Sequence, residues 1–222
     1  ANGVEKVVRD YFNDDIDELV VNDENDYNAI LELCADMGFK IGKVRLYTDE
    51  VPIFQNYYVQ SQARAAFNKH VWLKSGGFLV IEQTEACVVI DVNTGKYTGK
   101  ADFEKTILNT NIEAANEIAH QLRLRNLNGM IIVDFIDMQS EQNKRQLLNE
   151  VRNEIRHDKA KVVAYPLTQL GLMQITRQRI NQNLGEKISD ICPTCSGSGR
   201  IPSKSTLLNS IEKWLKTFRQ KS

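Results

Sequence analysis

Two short runs of β-branched and other apolar residues, each ending in an aspartate, constrain the fold of this chain most strongly. In the first, Phe78–Ile81 and Ala86–Ile90 flank a short polar stretch and predict an antiparallel hairpin. The hairpin ends at Asp91 and is followed by a polar loop with two glycines. The second run, GMIIVDFIDM at Gly129–Met138, has the same character and carries Asp134. Two carboxylates at the ends of buried strands are one way in which a protein binds a divalent metal ion.

The two aspartates therefore predict a magnesium site. Neighbouring strand ends bring two side chains within about 5 Å of one another, and Mg²⁺ often binds through only one or two carboxylates. Asn93 lies two residues past Asp91, so its amide is expected on the same side of the strand, where it would orient a carboxylate. Lys96, in the following loop, is a candidate for contact with a phosphate. The alternative is that both aspartates are turn residues, since Asp favours strand ends.

Asp137 follows Asp134 closely and has two interpretations. It is either a third acid of the same site or a cap for the helix that begins near Ser140. The cap is the favoured interpretation, because Asp is common at the start of helices.

The order of predicted elements after residue 67 indicates an α/β (α+β) fold, with strand, strand, long helix, strand, long helix and strand in succession. Asp102 is expected to cap the first long helix. The predicted helices are Val4–Phe12, Tyr27–Met37, Val59–Phe67, Phe103–Arg125, the segment from Ser140 to about His157, and Thr206–Arg219. The predicted strands outside the hairpin are Ile16–Val21, Lys43–Tyr47, Val71–Leu73, Met130–Phe135, Lys161–Tyr165 and a short one within Leu170–Arg179, whereas Asn181–Gly185 is expected to be a loop.

Composition and short motifs exclude several classes of protein. Apolar residues make up 42% and charged residues 26% of the chain, which is typical of a globular rather than a disordered protein. No apolar run reaches the ~18 residues of a membrane span, and no signal peptide is expected, so the predicted location is cytoplasmic. The sequence contains neither of the two common glycine-rich phosphate-binding motifs, GxxxxGK[ST] and GxGxxG after a strand. Ser198 lies outside the strand–turn–helix context of a serine hydrolase.

The four cysteines fall into two groups. Cys34 lies on an apolar helical face and Cys87 within a predicted strand, and both are expected to be small core residues. Cys192 and Cys195 form a CxxC pair in a turn-rich linker, CPTCSGSG, which resembles half of a zinc site. A second copy of the pair from another protomer would complete four ligands. The alternatives are a redox pair, which the following glycines disfavour, or two exposed thiols.

Four arginines are possible phosphate contacts, because a guanidinium binds phosphate through two hydrogen bonds. Arg177 and Arg179 lie on one side of a predicted extended segment and are candidates for phosphate contact, with a solvated charged surface as the alternative. Arg123 and Arg125 end the first long helix, where basic residues favour the helix dipole, and this structural interpretation is preferred for both.

Four segments in this order and spacing resemble the ribonuclease E/G family of bacterial endoribonucleases. They are IDVNTGKYTG, the block FEKTILNTNIEAANEIAHQLRLRNLNGMIIVDFIDM, GLMQITRQR and CPTCSGSG. The resemblance extends from about Val4 to Gly199, and the long central block is specific.

The resemblance implies a Mg²⁺-dependent endoribonuclease that hydrolyses phosphodiester bonds of single-stranded RNA and leaves 5′-phosphate products. The family's two metal-binding aspartates fall on Asp91 and Asp134, and its asparagine falls on Asn93. The Zn²⁺ link that two protomers of the family share falls on Cys192 and Cys195. The implied organisation is a partial RNase H-like subdomain at 1–66, a DNase I-like catalytic subdomain at 67–188, the zinc link at 189–202, and the start of a small dimerisation domain at 203–222.

Relative to the family pattern, this sequence is expected to lack the S1 domain and the 5′-sensor region, which in the family make many of the contacts with RNA. Three functions follow as alternatives. The first is the endoribonuclease, assembled as a homo-dimer through shared zinc or as a tetramer. The second is a zinc-linked RNA-binding and assembly module without turnover. The third is a phosphoesterase that acts on small phosphates.

Overall fold

The computed structural model describes residues 3–13, 15–95 and 103–221. The chain divides into two compact units, Ala1–Asn68 and Lys69–Ser222. The mixed α/β class predicted from the order of elements is confirmed by both units. In the described part of the chain, no helix is long and apolar enough to cross a membrane.

The first unit packs helices against a parallel pair of short strands, β1 (Leu19–Val21) and β2 (Val44–Leu46), with Leu19 opposite Val44. Its core consists of Val8, Phe12, Ile30, Cys34 and Val44. Cys34 is fully buried, as predicted, and burial raises the pKa of its thiol. The elements are α1 (Gly3–Tyr11), β1 (Leu19–Val21), α2 (Glu24–Asp36), a 3₁₀ turn (Ile41–Lys43), β2 (Val44–Leu46), α3 (Ile53–Asn56) and α4 (Val59–Ala65).

The second unit is built on a six-stranded mixed sheet that consists of β3 (His70–Trp72), β4 (Phe78–Gln83), β5 (Val88–Asn93), β6 (Gly129–Asp134), β7 (Val162–Ala164) and β8 (Leu172–Arg177). Across the sheet the strands follow the order β3-β4-β5-β6-β8-β7. The predicted hairpin is confirmed as β4 and β5, which pair antiparallel from Phe78 opposite Asn93 to Gln83 opposite Val88. Strands β5 and β6 run parallel.

Two long helices, α5 (Phe103–Leu124) and α6 (Glu141–Ile155), cover one face of this sheet. A parallel pair such as β5 and β6 needs a crossover connection, and α5 supplies it. Side chains along each strand point alternately to the two faces of the sheet. One face packs against the helices in the core. The opposite face, which carries Phe78, Asp91, Asn93 and Asp134, is here called the open face. Residues of the covered face include Leu79, Ile81, Ile90, Ile131, Val133, Met173 and Ile175, all in one cluster with α5 and α6.

Most predicted boundaries hold within a few residues, and the side chain of Ser140 caps α6. Two interpretations are wrong. Cys87 is half-buried in the turn before β5 rather than inside a strand, because the hairpin turn extends to the residue before Val88. The predicted loop at 181–185 runs into a short helix, α7 (Leu184–Ile188), whose cap Asn183 accepts the amide of Glu186 at 2.8 Å.

The chain ends in α8 (Lys204–Lys221), which follows the cysteine-containing turn. Its apolar residues recur on one side of the helix, as predicted. All of them are exposed in this chain: Leu207, Leu208, Ile211, Trp214, Leu215 and Phe218.

Candidate active site

The two strand-end aspartates lie directly beside each other. Asp91 of β5 is the register partner of Asp134 of β6 across the parallel pair. Partner residues on neighbouring strands present their side chains to the same face, with the strands about 4.8 Å apart. Both carboxylates therefore lie on the open face, and both are exposed.

Asn93 belongs to the same cluster. Its side-chain amide donates a hydrogen bond of 2.7 Å to Oδ2 of Asp91. Two residues along a strand return to the same face, which is why this contact forms without any distortion of β5. The amide therefore orients the first of the two carboxylates.

The electrostatic environment of Asp134 favours a cation. Partial desolvation raises the pKa of this carboxyl, and the negative charges of Asp91 and Asp137 raise it further. Like charges placed this close oppose one another until a cation or a proton compensates them. Among the described residues, no group of three or more His, Cys, Asp or Glu side chains forms a metal site. Within the described residues, the candidate site rests on the carboxylates of Asp91 and Asp134.

Asp137 does not cap α6, so the favoured interpretation of this residue is wrong. The cap is Ser140, whose hydroxyl accepts the amide of Asn143 at 3.4 Å. Asp137 instead extends towards the β7–β8 turn, where its Oδ1 would lie 2.8 Å from a Cβ on Gly171. Its charge still acts on Asp134, so it contributes to the negative potential at this edge of the sheet.

The segment that directly follows β5 packs against the β3–β4 turn. A Cβ on Gly95 would approach the carbonyl carbon of Gly76 to 2.7 Å, so only glycine fits there. That turn is itself fixed by Glu113 of α5, whose carboxylate accepts the amides of Lys74 at 2.5 Å and Ser75 at 3.2 Å. Two of the sequence-predicted residues, Lys96 and the cap Asp102, lie outside the described residues.

A groove of about 550 Å³ adjoins the site on its β8 side. It begins at the residues that follow β6 and reaches the β7–β8 turn. Its polar lining includes Asp137, Gln139, Lys144 and Thr168. The groove is continuous with the end of β6 and is long enough to accommodate part of a linear ligand that extends away from the carboxylates.

Arg177 lies far from the aspartates. It pairs in register with Gly129 at the start of β6, whereas Asp134 at the other end pairs with Leu172. The side chain is buried, and its guanidinium binds both carboxylate oxygens of Asp158, at 2.8 and 3.1 Å. This geometry favours a structural role for Arg177 over the predicted contact with RNA.

Arg179 and Arg125 also lie away from the carboxylates. Arg179 is exposed and donates to Oδ1 of Asn128 at 3.0 Å. Arg125 is buried at the end of α5 and donates to Gln121 at 2.6 Å, while burial lowers its pKa. The structure thus brings Asp91, Asn93 and Asp134 together and leaves the arginines apart from them.

Sequence analysis did not single out the aromatic residues of the open face. Trp72 of β3 is the register partner of Phe78 of β4, and Phe78 is the partner of Asn93. The signal was present in the sequence, because alternation along the hairpin places Phe78 opposite the residue two positions after Asp91. Without the pairing of β3, however, nothing linked Trp72 to this face.

The cysteine pair forms a tight turn. Cys192 is exposed, Cys195 is half-buried and both are free thiols. Hydrogen bonds from the backbone amides of Cys195 and Thr194 hold the pKa of the Cys192 thiol below its usual value. The turn is closed by the amide of Ser196, which donates to the carbonyl of Cys192 at 2.8 Å. The turn therefore favours the thiolate form of Cys192.

Comparison with known proteins gives a consistent answer. The model of the Ribonuclease E/G family matches residues 1–180. The chain is 40% identical to Ribonuclease E of Escherichia coli (strain K12) over 217 residues, which cover 95% of this chain and 20% of that protein. It is 38% identical to Ribonuclease G of Haemophilus influenzae over 208 residues, covering 93% of this chain and 42% of that protein. The chain thus spans between a fifth and about two fifths of these relatives, and it belongs to the ribonuclease E/G family.

Proposed function

We propose that this chain forms the catalytic part of a Mg²⁺-dependent endoribonuclease that hydrolyses phosphodiester bonds of single-stranded RNA and leaves 5′-phosphate products. The observation that carries the proposal is the direct pairing of Asp91 with Asp134 across β5 and β6, with Asn93 bound to the first carboxylate. Membership of a family whose relatives are named ribonucleases supports the same reaction class.

The residues present fit a hard divalent cation. Mg²⁺ takes oxygen ligands, accepts one or two carboxylates and fills its remaining positions with water and substrate phosphate. Desolvation raises the pKa of Asp134, and the nearby charges of Asp91 and Asp137 raise it further, so a bound cation would favour the ionised carboxylate. When bound, the ion would neutralise charge on the phosphate and lower the pKa of a coordinated water.

The chain's own contribution is positioning. Asn93 holds Oδ2 of Asp91 and so limits rotation of that carboxylate. The close contact between Gly95 and the backbone of Gly76 fixes the position of the chain directly after β5. Within the proposal, Lys96 in that loop and the exposed Arg179 are candidates for phosphate contact. Arg177 is left out, because its guanidinium is buried against Asp158.

Substitution of the carboxylates tests the proposal. Asp91→Asn and Asp134→Asn should each lower the rate of cleavage of an end-labelled single-stranded RNA in Mg²⁺ by about 1,000-fold, since a metal contributes several kcal/mol to the transition state. Asn93→Ala should lower it by about 10- to 100-fold. Glu82→Gln is the matched control, because Glu82 is an exposed acid of β4 that forms an ion pair with Lys69. Normal cleavage by either aspartate variant would contradict the mechanism.

Stability measurements separate loss of chemistry from loss of fold. The folded-state pKa of Asp134 is raised, so its ionisation disfavours the folded state at pH values above the unfolded pKa. Asp134→Asn in EDTA at pH 7 should therefore unfold at the same urea concentration as the unsubstituted chain, or at a higher one. A marked decrease would mean that the lost activity reflects damage to the sheet.

The finer organisation belongs to the same proposal. Residues 1–66 would form part of an RNase H-like subdomain and 67–188 a DNase I-like subdomain. Cys192 and Cys195 would bind Zn²⁺ together with the same pair from a second protomer, because tetrahedral Zn²⁺ needs four ligands. The turn that favours the Cys192 thiolate supports this arrangement.

Metal stoichiometry tests the shared site. We expect about one zinc for two chains, since two cysteine pairs complete one four-ligand site. Cys192→Ser should release the zinc and shift the dimer to monomer in sedimentation. Cys34→Ser is the control for loss of a thiol outside the turn. One zinc per chain, or a dimer that survives the loss of Cys192, would refute sharing.

A second function remains as an alternative: a zinc-linked RNA-binding and assembly module without turnover. The exposed apolar side of α8, next to the cysteine turn, is the observation that favours it. Incubation of the chain with Mg²⁺ and a single-stranded oligoribonucleotide distinguishes the two. Binding without product supports the module, and product that depends on Asp91 supports the nuclease.

A further inference from the structure

Three aromatic side chains continue the row of catalytic-site residues across the open face towards the edge of the sheet. Trp72, Phe78 and Asn93 are successive register partners on β3, β4 and β5. The rings of Trp72 and Phe78 lie 5.2 Å apart, tilted by 54°. His70 completes the set, with its ring 5.7 Å from that of Phe78. These residues, His70, Trp72 and Phe78, are called the aromatic edge.

The exposure of Trp72 calls for an explanation. Tryptophan has a large apolar surface and is highly buried on average, yet 72% of Trp72 is accessible on the edge strand of this sheet. A cross-strand aromatic pair stabilises β3 by itself, but that role does not require the outer face of the indole to remain open. A flat, accessible ring is what a nucleobase needs for stacking.

The position of the aromatic edge points to one occupant. Trp72 lies two strand spacings, about 10 Å, from Asn93, which corresponds to about three stacked nucleotides at ~3.4 Å each. An RNA strand whose scissile phosphate lies between Asp91 and Asp134 would therefore present a nearby base to Trp72. Only unpaired bases offer free faces, so the occupant would have to be single-stranded.

We propose that the aromatic edge is a base-stacking subsite, in which Trp72 stacks on an unpaired base of the RNA held at Asp91 and Asp134. The inference rests on the proposed nuclease function, because it takes its substrate from that site. It adds a source of affinity that the carboxylates cannot supply. Without a cation, Asp91, Asp134 and Asp137 repel phosphate, whereas stacking acts on the neutral base.

The chain contains its own control for this proposal. It has two tryptophans. The other, Trp214, is 64% exposed on α8 and also lies beside a phenylalanine, Phe218, with ring centroids 5.5 Å apart. The two indoles thus have similar exposure and a similar aromatic neighbour. They differ in that Trp72 alone belongs to the face that carries Asp91 and Asp134.

Fluorescence of single-tryptophan variants tests the stacking directly. Trp214→Phe leaves only Trp72, and Trp72→Phe leaves only Trp214. Each is titrated with a short single-stranded oligoadenylate in Ca²⁺ in place of Mg²⁺, with gel analysis to check that the oligonucleotide stays intact, while anisotropy of labelled RNA reports binding. We expect quenching of Trp72 that follows the anisotropy and none of Trp214. The same RNA annealed to its complement should not quench Trp72. Unchanged Trp72 fluorescence at saturating RNA, or no RNA binding at all, would overturn the proposal.

Substitutions of Trp72 separate stacking from support of the edge strand. Trp72→Leu keeps an apolar contact with Phe78 but removes the ring, and Trp72→Phe keeps a ring. We expect the Leu variant to bind RNA at least fivefold more weakly than the unsubstituted chain and the Phe variant to bind nearly as well, with similar urea midpoints. Equal affinity of the Leu variant would refute stacking. Because cleavage at Asp91 does not require Trp72, retained cleavage together with that result would leave the proposed function intact.

Discussion

The buried ion pair between Arg177 and Asp158 yields the most decisive prediction about stability, because the same arginine was a candidate for RNA contact. Their side chains are 6% and 5% exposed. The guanidinium donates to both oxygens of Asp158, at 2.8 and 3.1 Å, and its remaining nitrogen donates to Oδ1 of Asn126 at 2.7 Å and the carbonyl of Leu127 at 3.2 Å. The pair therefore ties β8 to the α5–β6 turn and to the segment before β7.

Removing one partner should be costly. Asp158→Ala leaves a buried guanidinium without its counter-charge, which costs about 3–5 kcal/mol in comparable cases. With a urea dependence of ~2 kcal/mol per molar, the unfolding midpoint should fall by about 1.5–2.5 M. The double variant Asp158→Ala with Arg177→Met should lose less than the sum of the single variants, because it leaves no unpaired charge.

The pair also predicts how stability depends on pH. Burial by itself would raise the pKa of Asp158, but hydrogen bonds from Arg177 and the amide of Ala160, with the charges of Arg177 and Arg123, hold it below its usual value. A depressed folded-state pKa stabilises the fold above the unfolded value of ~3.9 and ceases to do so as the pH falls through the folded pKa. The unsubstituted chain should therefore lose stability at acidic pH more steeply than Asp158→Ala.

Urea unfolding followed by circular dichroism at pH 7 and across the acidic range tests both expectations. Arg179→Met is the matched control, because Arg179 is exposed and makes one hydrogen bond to Asn128, so the midpoint should hardly move. A loss below about 1 kcal/mol in Asp158→Ala would refute the structural argument. If Arg177→Met instead weakened RNA binding at an unchanged midpoint, the earlier interpretation of Arg177 as an RNA contact would be restored.

Two further predictions concern the turn on which the site rests. Gly95→Ala should lower the cleavage rate and the urea midpoint, because a Cβ would come within 2.7 Å of the carbonyl carbon of Gly76 and push the two segments apart. Equal cleavage and an equal midpoint would refute this close contact. Gly3→Ala is the control, because nothing lies within 4 Å of a Cβ at that position. Glu113→Gln should destabilise the chain by about 1 kcal/mol in the same assay, because it weakens charge-assisted bonds to the amides of the β3–β4 turn. An unchanged midpoint in Glu113→Gln would mean that water replaces the carboxylate without cost.

Local sequence patterns predicted most of the elements for a simple physical reason. Strand alternation and helical periodicity are set within a few residues, so β4, β5, α5 and α6 could be located before any contact was known. The errors occur where local patterns compete. Cys87 is apolar in character but belongs to a hairpin turn, and the cap at Asn183 starts a helix too short to show a period.

The role of Arg177 could not be predicted in the same way. In the sequence, Arg177 and Arg179 are equivalent members of one basic segment. What separates them is Asp158, which lies 19 residues earlier and reaches Arg177 only after β7 and β8 have paired. Burial and the identity of a distant partner decide whether a guanidinium is structural or free, and neither is a local property.

The sequence by itself determined that two short β-branched runs end in Asp91 and Asp134, since strand propensity and the position of an acid within a run are local. Only the tertiary structure decided that these strands are parallel neighbours in matching register, because α5 must first cross the sheet to bring β6 beside β5. It also decided that Trp72 shares their face, because pairing of β3 with β4 sets that register. The chain supplies the chemical groups, and long-range strand pairing places them on one surface.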